Sequence, residues 1–469
     1  MSMTNVLNKE LRVLPLAFLL VEAGFIILFL ITQSPLIAIA GLIGLIGLPF
    51  IVSSPGNQFA LLLLYISVLT APNWGQRYHA LKYHVDWKLI ALGMLFIALM
   101  IFIRNLYENN WSIKLHFLDK IIALFCLYAV VNGLWGYAQY GTLTRIIVEL
   151  YYILLYGAYF ITRILLTNDP AWRRKILLAI VSGTVIASLI YIYLTLTNLD
   201  ITSILINRLT TQQPHLAQVV LPLLFAVILF GTQKQTKLLS IAAIIPIFLM
   251  VIFSQQRGLW IGVTFAIFVL LFLYFFRTGF VLSKFIKFII GVVLTLAIIL
   301  LFLIIAQKYF NLQFLITVFA RVETLGDIGG DTSWQVRFTE VRAALKNWEQ
   351  NMVFGSGLGA TYTQLYAERG NTALDNSYAF VLWKLGLAGL AMFISIYITF
   401  AVQGLRVYWK TDSYHEKMLI ASCLAGIGGM LLIGITNMSI IGYRFNIIWA
   451  ILIALVHDIY IRHFGSGNV

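Results

Sequence analysis

The sequence predicts an all-α, polytopic membrane protein, and three observations carry that prediction. Hydrophobic residues make up 61% of the 469 and charged residues only 11%, roughly half the charged share of a globular domain, so the apolar surface is too large for one water-soluble core. The apolar residues run in stretches of about 20, the length that crosses a bilayer as a helix, and no alternating pattern of a membrane barrel interrupts them. The formal charge is +14, yet the lysines and arginines fall in short runs between apolar stretches. There they act as topology signals and headgroup anchors, so nucleic acid is not an expected partner and membrane lipid is.

On that ruler the spans fall near 11–31, 35–53, 58–71, 87–104, 118–137, 146–166, 176–197, 214–231, 237–253, 258–276, 284–306, 378–405, 416–440 and 443–462. That is about fourteen helices, or about twelve if the short third and Gly-rich second drop out. Lys9 and Arg12 precede the first stretch without a small-residue cleavage site behind it, which reads as a spanning helix rather than a leader. With both termini cytoplasmic, the inner loops hold Arg104 and Lys114, Arg163 and Arg173–Lys175, Lys234 and Lys237, Arg277, Lys284 and Lys287, Arg406, Lys410 and Lys417, and Arg462. This is the expected inward bias of positive charge, and Arg77 and Lys82 in the first long outside loop are its weak point. The domain organisation is then a bundle over 1–306, an external loop over 307–376, and a second part of the bundle over 377–469. Cys126 and Cys423 lie inside apolar runs and the seven histidines show no ligand spacing, so neither disulfide, metal nor other cofactor is expected.

The external loop is the longest stretch free to meet water, with six basic and seven acidic residues. Trp334, Phe338, Val341, Leu345, Trp348 and Met352 recur at three- and four-residue spacing, which predicts an amphipathic helix lying across the mouth of the bundle, seam down. Arg337 sits at the edge of the seam and faces the cleft; Arg342 lies about a quarter-turn away. Gly355-Ser356-Gly357-Leu358-Gly359 ends this helix. It reads either as a phosphate cradle, with room at Gly357 and Gly359, or as a flexible return to the membrane.

Four polar residues converge on the outer side under this topology: Arg208, Arg257, Arg337 and Asp375. The guanidinium fork stays charged and matches phosphate oxygens, so arginines aimed at one cleft suggest a diphosphate; singly, each reads equally as an interface residue reaching for headgroups. Asp375 reads as a proton acceptor beside those arginines, or else Asp375 or Asn376 caps the following helix. Asn376 and Tyr378 add donors for a sugar hydroxyl, and His215 is the histidine nearest the cleft. Lys384 is expected to snorkel outward, Arg145 and Glu149 to form a local ion pair, and Glu22 is a functional candidate inside the membrane.

These segments resemble the O-antigen ligase and polymerase superfamily of integral-membrane glycosyltransferases over roughly residues 200–400. Arg208 … Pro214-His215-Leu216-Ala217 resembles the family's Arg … Pro-Asn-x-Ala loop, with His215 in place of Asn. Ser254-Gln255-Gln256-Arg257-Gly258 resembles its Ser-Arg-Gly turn, extended by Gln255 and Gln256 between Ser and Arg. Arg337 … Gly355-Ser356-Gly357-Leu358-Gly359 resembles the external loop, and Asp375-Asn376-Ser377-Tyr378 with Leu385-Gly386-Leu387-Ala388-Gly389 resembles the His-Asn-x-Leu … Gly-Leu-x-Gly motif. The resemblance implies a GT-C-like bundle in a bacterial plasma membrane with its site facing the exterior. It implies metal-independent transfer from a polyprenyl-diphosphate-linked glycan donor to a glycan acceptor. Asp375 in place of the ligases' histidine leans toward the polymerase branch, which also implies a chain-length regulator as partner. The alternatives are a ligase of the same fold and a transporter of lipid-linked sugars, for which no internal duplication speaks.

Overall fold

A computed structural model describes residues 55–69, 97–98, 115–197, 213–279, 332–362, 374–441 and 445–465, with isolated positions between 283 and 301. Glu22, Arg208 and the stretches 307–331 and 363–373 lie outside the described residues. Among the described residues every regular element is helical, and eight helices are long and apolar enough to cross a membrane, with a shorter one at Pro214–Phe230.

Two compact units divide the chain, the first of residues 1–113 with 168–183 and the second of 114–167 with 184–469. In the first, α1 (Pro55–Leu69) packs so closely on Trp172 that a Cβ at Gly56 would overlap the indole. The second holds α2 (Phe117–Tyr140), α3 (Leu143–Leu154), α4 (Ala158–Asn168), most of α5 (Trp172–Thr197), α6 (Ala217–Phe230), α7 (Lys234–Phe253) and α8 (Arg257–Thr278). It continues with α9 (Thr332–Trp348), α10 (Ser377–Lys410), α11 (Tyr414–Ile433) and α12 (Asn446–Phe464). The α6, α8 and α11 helices pack together through small residues: a Cβ at Gly262 would strike Ile433, and one at Gly429 would meet the side chain of Ala266 at 3.0 Å. Close backbone approach of this kind is how apolar helices gain contact where lipid gives no hydrophobic drive. The stretch expected as a span over 416–440 ends earlier, at Ile433, because the carbonyls of Gly434, Ile435 and Asn437 turn to accept from the start of α10.

Two features set the geometry of the second unit. One is a break in α10 at Gly386, where φ is 67°. The backbone groups it frees bond to the chain after α9: Ser356 N donates to Trp383 O at 2.7 Å, Gly357 N to Lys384 O at 3.0 Å, Leu387 N to Met352 O at 2.9 Å and Ala388 N to Val353 O at 3.1 Å. The Gly-Ser-Gly-Leu-Gly run is thus a strap laid into the broken helix. Its glycines all take positive φ, at 77°, 92° and 84°, a conformation in which side chains are strained.

The other feature is a buried polar network at the opposite end, which sequence reasoning missed. Asp119 accepts from His116 N at 2.7 Å, Tyr159 Oη at 2.6 Å and Arg163 Nε at 3.5 Å, and Arg163 reaches Asp458 at 3.7 Å. His457 bonds Gln403 at 2.7 Å. The network joins α2, α4, α10 and α12, so Arg163, read from the sequence as a loop charge, is instead buried inside α4.

Gly386→Ala adds a Cβ into Val353 O and Gly355 N at a positive φ, and should cost about 2 kcal/mol or more. Gly141→Ala, at a helix end with φ 64° but nothing within 4 Å, should cost only about 1 kcal/mol. Thermal unfolding of the two variants in the same detergent measures the difference.

Candidate functional site

The site lies at the end of the second unit where α2 and α11 finish and α6, α8 and α10 begin. The α7–α8 link is a tight turn: Gln255 takes φ 51°, Trp260 Nε1 donates back to Val251 O at 2.9 Å, and Arg257 follows as the first residue of α8. A left-handed glutamine is an uncommon, strained choice for a residue with a Cβ. His215 is buried in a 3-10 turn, Gln213–Leu216, that packs on α7 and opens α6. Since α6 and α7 are antiparallel neighbours, His215 and Arg257 occupy the same end of the bundle.

On the other side of the turn Gly434–Asn437 stands the start of α10. Asn376 is the cap: its Oδ1 accepts from Ala379 N at 2.8 Å, and its Nδ2 donates to Ile435 O at 2.8 Å. Ser377 Oγ donates to Asn437 O at 2.8 Å and Tyr378 Oη to Leu431 O at 2.7 Å. These donors, expected to position a sugar, hold the α10 start on the end of α11. Gly258 faces Thr436 across the same turn, with a Cβ at 3.1 Å from its Oγ1, so Arg257 and Asp375 flank one short piece of backbone.

With the cap assigned to Asn376, the Asp375 carboxylate turns to α9: Arg337 Nε donates to Asp375 Oδ2 at 3.2 Å, both side chains about one-quarter exposed. Two residues 38 apart in sequence therefore meet. Arg342 lies on the exposed face of α9 and makes no part of this pair. Glu340, one turn along from Arg337, is 1% exposed. Sequence reasoning passed over it, although a carboxylate on the Arg337 face of an amphipathic helix was a signal to find it.

The glycine run is committed internally. Leu358 N donates to Asn132 Oδ1 at 2.9 Å and Gly359 N to Glu149 Oε2 at 2.8 Å, while Gly357 N is held by Lys384 O. Amides so engaged cannot also cradle a phosphate, so Gly357 and Gly359 serve the strap's path. Asn132 also donates to Phe354 O at 3.0 Å and Lys384 O at 3.2 Å, which uses all of its geometry on backbone.

Lys384 does not snorkel. It is 0% exposed and donates to Glu149 Oε1 at 2.8 Å and to Ala360 O at 2.5 Å, so the partner expected for Glu149, Arg145, is replaced by a lysine 235 residues away. A buried ammonium close to its counter-charge is held by the pair, and leaving either partner alone is far more costly than the pair itself is beneficial.

Helices long enough to span, with polar residues gathered at one end and α9 packed on the start of α10, define a multi-pass, all-α membrane protein with a candidate catalytic face. Residues 241–394 match the family model of the O-antigen ligase, a stretch that takes in Arg257, Arg337, the glycine strap, Asp375 and the Gly386 break. The match supports a glycan-transfer activity of the O-antigen ligase and polymerase kind, acting on a lipid-linked glycan. Compared with curated proteins, the chain matches none. No group of three or more His, Cys, Asp or Glu suited to a metal occurs among the described residues.

Lys384→Met alone strands Glu149 and should cost about 3 kcal/mol; Glu149→Gln should cost less, since the amide oxygen can still accept from Gly359. The double variant should be more stable than the sum of the two losses predicts. Unfolding midpoints of the four proteins close the cycle.

Proposed function

We propose that the protein is a membrane glycosyltransferase that moves a glycan from a polyprenyl-diphosphate carrier to an acceptor hydroxyl, in a GT-C-like bundle of the bacterial plasma membrane with the site facing outward. The observation that carries it is the meeting of Arg337 with Asp375 beside the turn that Arg257 flanks. The charge pattern supports the orientation: Lys120, Arg277, Arg406, Lys410, Lys417 and Arg462 cluster at the end opposite this site, where the positive-inside rule puts the cytoplasm.

In this reading the acceptor oxygen attacks the anomeric carbon and the carbon–oxygen bond to the diphosphate breaks. The acceptor's proton passes to the Asp375 carboxylate, and the leaving diphosphate keeps the bonding electrons. A lipid diphosphate leaves readily once its charge is balanced, so the protein's task is charge stabilisation and in-line placement. Arg257 and Arg208 serve the diphosphate. Arg337 orients Asp375 and adds positive potential, while His215 shapes the donor side of the pocket.

The family match favours a ligase, which passes its glycan to a different acceptor molecule. Asp375 in the place of a histidine favours the polymerase reading, in which repeat units are joined to one another with a chain-length regulator at hand. Purified protein given lipid-linked repeats alone separates them: elongated chains mark a polymerase, no product without a second acceptor marks a ligase, and movement of intact substrate across the bilayer marks a transporter.

Arg257→Ala, Arg208→Ala and Arg337→Ala should each lower turnover by about 10²–10³-fold in a correctly inserted protein. Asp375→Asn should lower it by about 10²-fold, whereas Asn376→Ala should act mainly on stability, by about 1 kcal/mol. Chelation by EDTA should leave the rate unchanged. Turnover of a radiolabelled lipid-linked glycan in proteoliposomes reads all of these; full activity of both Arg257→Ala and Arg208→Ala would remove the diphosphate clamp from the reading.

A further inference from the structure

The apolar seam of α9 does not lie where an external amphipathic helix would put it. Glu340 and Ala344 form the buried face, and the seam through Trp334, Phe338, Val341 and Leu345 is displaced from them by about a quarter-turn. Phe338 is 56% exposed and its ring stacks on Trp334. The turn that follows leaves Met352, Val353 and Phe354 exposed as well, Val353 at 52% and Phe354 at 59%. Gln335, Thr339, Arg342 and Lys346 hold the remaining, polar face. The helix thus has three faces: one buried in protein, an apolar flank that is half-buried at Trp334, Val341 and Leu345 and exposed at Phe338, and a polar side carrying two cations.

What covers the flank follows from its neighbour. Phe354 O accepts from Asn132 Nδ2 at 3.0 Å and Tyr128 Oη at 3.3 Å, so the turn runs along α2. On that helix the residues beside Tyr128 and Asn132 are Leu127, Val131, Leu134 and Trp135, all exposed. In a spanning helix such a stripe faces lipid. The strap also bonds Tyr140 at the end of α2, through Ser356 O at 2.9 Å. Phe354 and Val353 therefore lie along the exposed side of α2 toward its end and extend a surface that already belongs to lipid.

We propose that the α9 flank and the 352–354 turn are immersed in the headgroup–acyl boundary of the bilayer, so that α9 is an interfacial helix and not part of a water-exposed domain. The occupant is lipid: Trp and Phe at the boundary with Arg342 and Lys346 toward phosphates is the composition such helices use. Immersion of the flank fixes the roll of α9 and hence the direction from which Arg337 meets Asp375.

Power-saturation EPR on the full chain in phospholipid nanodiscs tests this. Nitroxide is attached at Phe338→Cys, Val353→Cys and Phe354→Cys, with Arg342→Cys as the polar-face control and Leu134→Cys as the lipid control, in a Cys126→Ala/Cys423→Ala background. The ratio of oxygen to nickel-chelate accessibility at the three flank positions should match Leu134→Cys and exceed Arg342→Cys several-fold. Nickel-chelate access equal to Arg342→Cys would place the flank in water. Exclusion of both probes would place it under protein, another segment or a second copy. Either result overturns the proposal. A benzoyl-phenylalanine at position 338 in the otherwise native chain gives an independent reading: lipid adducts on irradiation support it, and protein adducts alone overturn it.

Discussion

A backbone cannot be left open inside a membrane, and that constraint organises the second unit. The turn at Gly386 frees amides and carbonyls from the α10 ladder, each of which would cost several kcal/mol unsatisfied in hydrocarbon. The strap from Met352 to Gly357 meets them with four backbone hydrogen bonds. Because the strap follows α9 directly, filling the break also fixes the end of that helix. Because the break lies a few turns along α10 from Asp375, it fixes the other partner of the Arg337–Asp375 pair too. One act of hydrogen-bond bookkeeping thus aligns two elements that are otherwise joined only through a long connection.

The strap is itself anchored by charge. Lys384 and Glu149 bring a full ion pair into an apolar bundle, where desolvation offsets most of the attraction between them. Each partner, however, also bonds the strap: Glu149 at Gly359 N and Lys384 at Ala360 O. The pair therefore discriminates between registers of the strap, since a slip by one residue would leave two buried charges with mismatched partners. The Asp119–Arg163–Asp458 network does similar work at the opposite end of the bundle. Held at both ends by polar contacts, the helices between can pack through small residues with little chemical specificity of their own.

How much of this was legible in the sequence depends on the kind of information involved. Span limits were readable because length and hydropathy decide them: the stretch 378–405 corresponds to Ser377–Lys410 and 237–253 to Lys234–Phe253. The early stop of α11 at Ile433 was not, because it depends on what Asn376 and Ser377 need from the following carbonyls. Lys384 was misread for the same reason. Its depth suggested a route to water, whereas its fate was decided by Glu149, far away in sequence. Arg337 and Asp375 could be named from chemistry and resemblance, but their contact needed the fold. The positive φ of Gly355, Gly357 and Gly359 was readable from glycine itself, while the partner that required it, a break in another helix, was not.

That division separates the motif residues by role. The strap glycines have internal acceptors for their amides, Asn351 O, Lys384 O and Glu149 Oε2, so their part is to shape the backbone around the break at Gly386. Asn376, Ser377 and Tyr378 are spent on the backbone between Leu431 and Asn437. Among the described residues of the motifs, Arg337 and Asp375 instead direct their charged side chains at each other, and Arg257 opens α8 at the same end of the bundle. The transfer proposed above asks for a proton acceptor and a fixed positive charge in one place, and the Arg337–Asp375 pair brings two such groups together. With Asn376 as the cap, Asp375 stands one residue outside the helix start, where Arg337 Nε reaches its carboxylate.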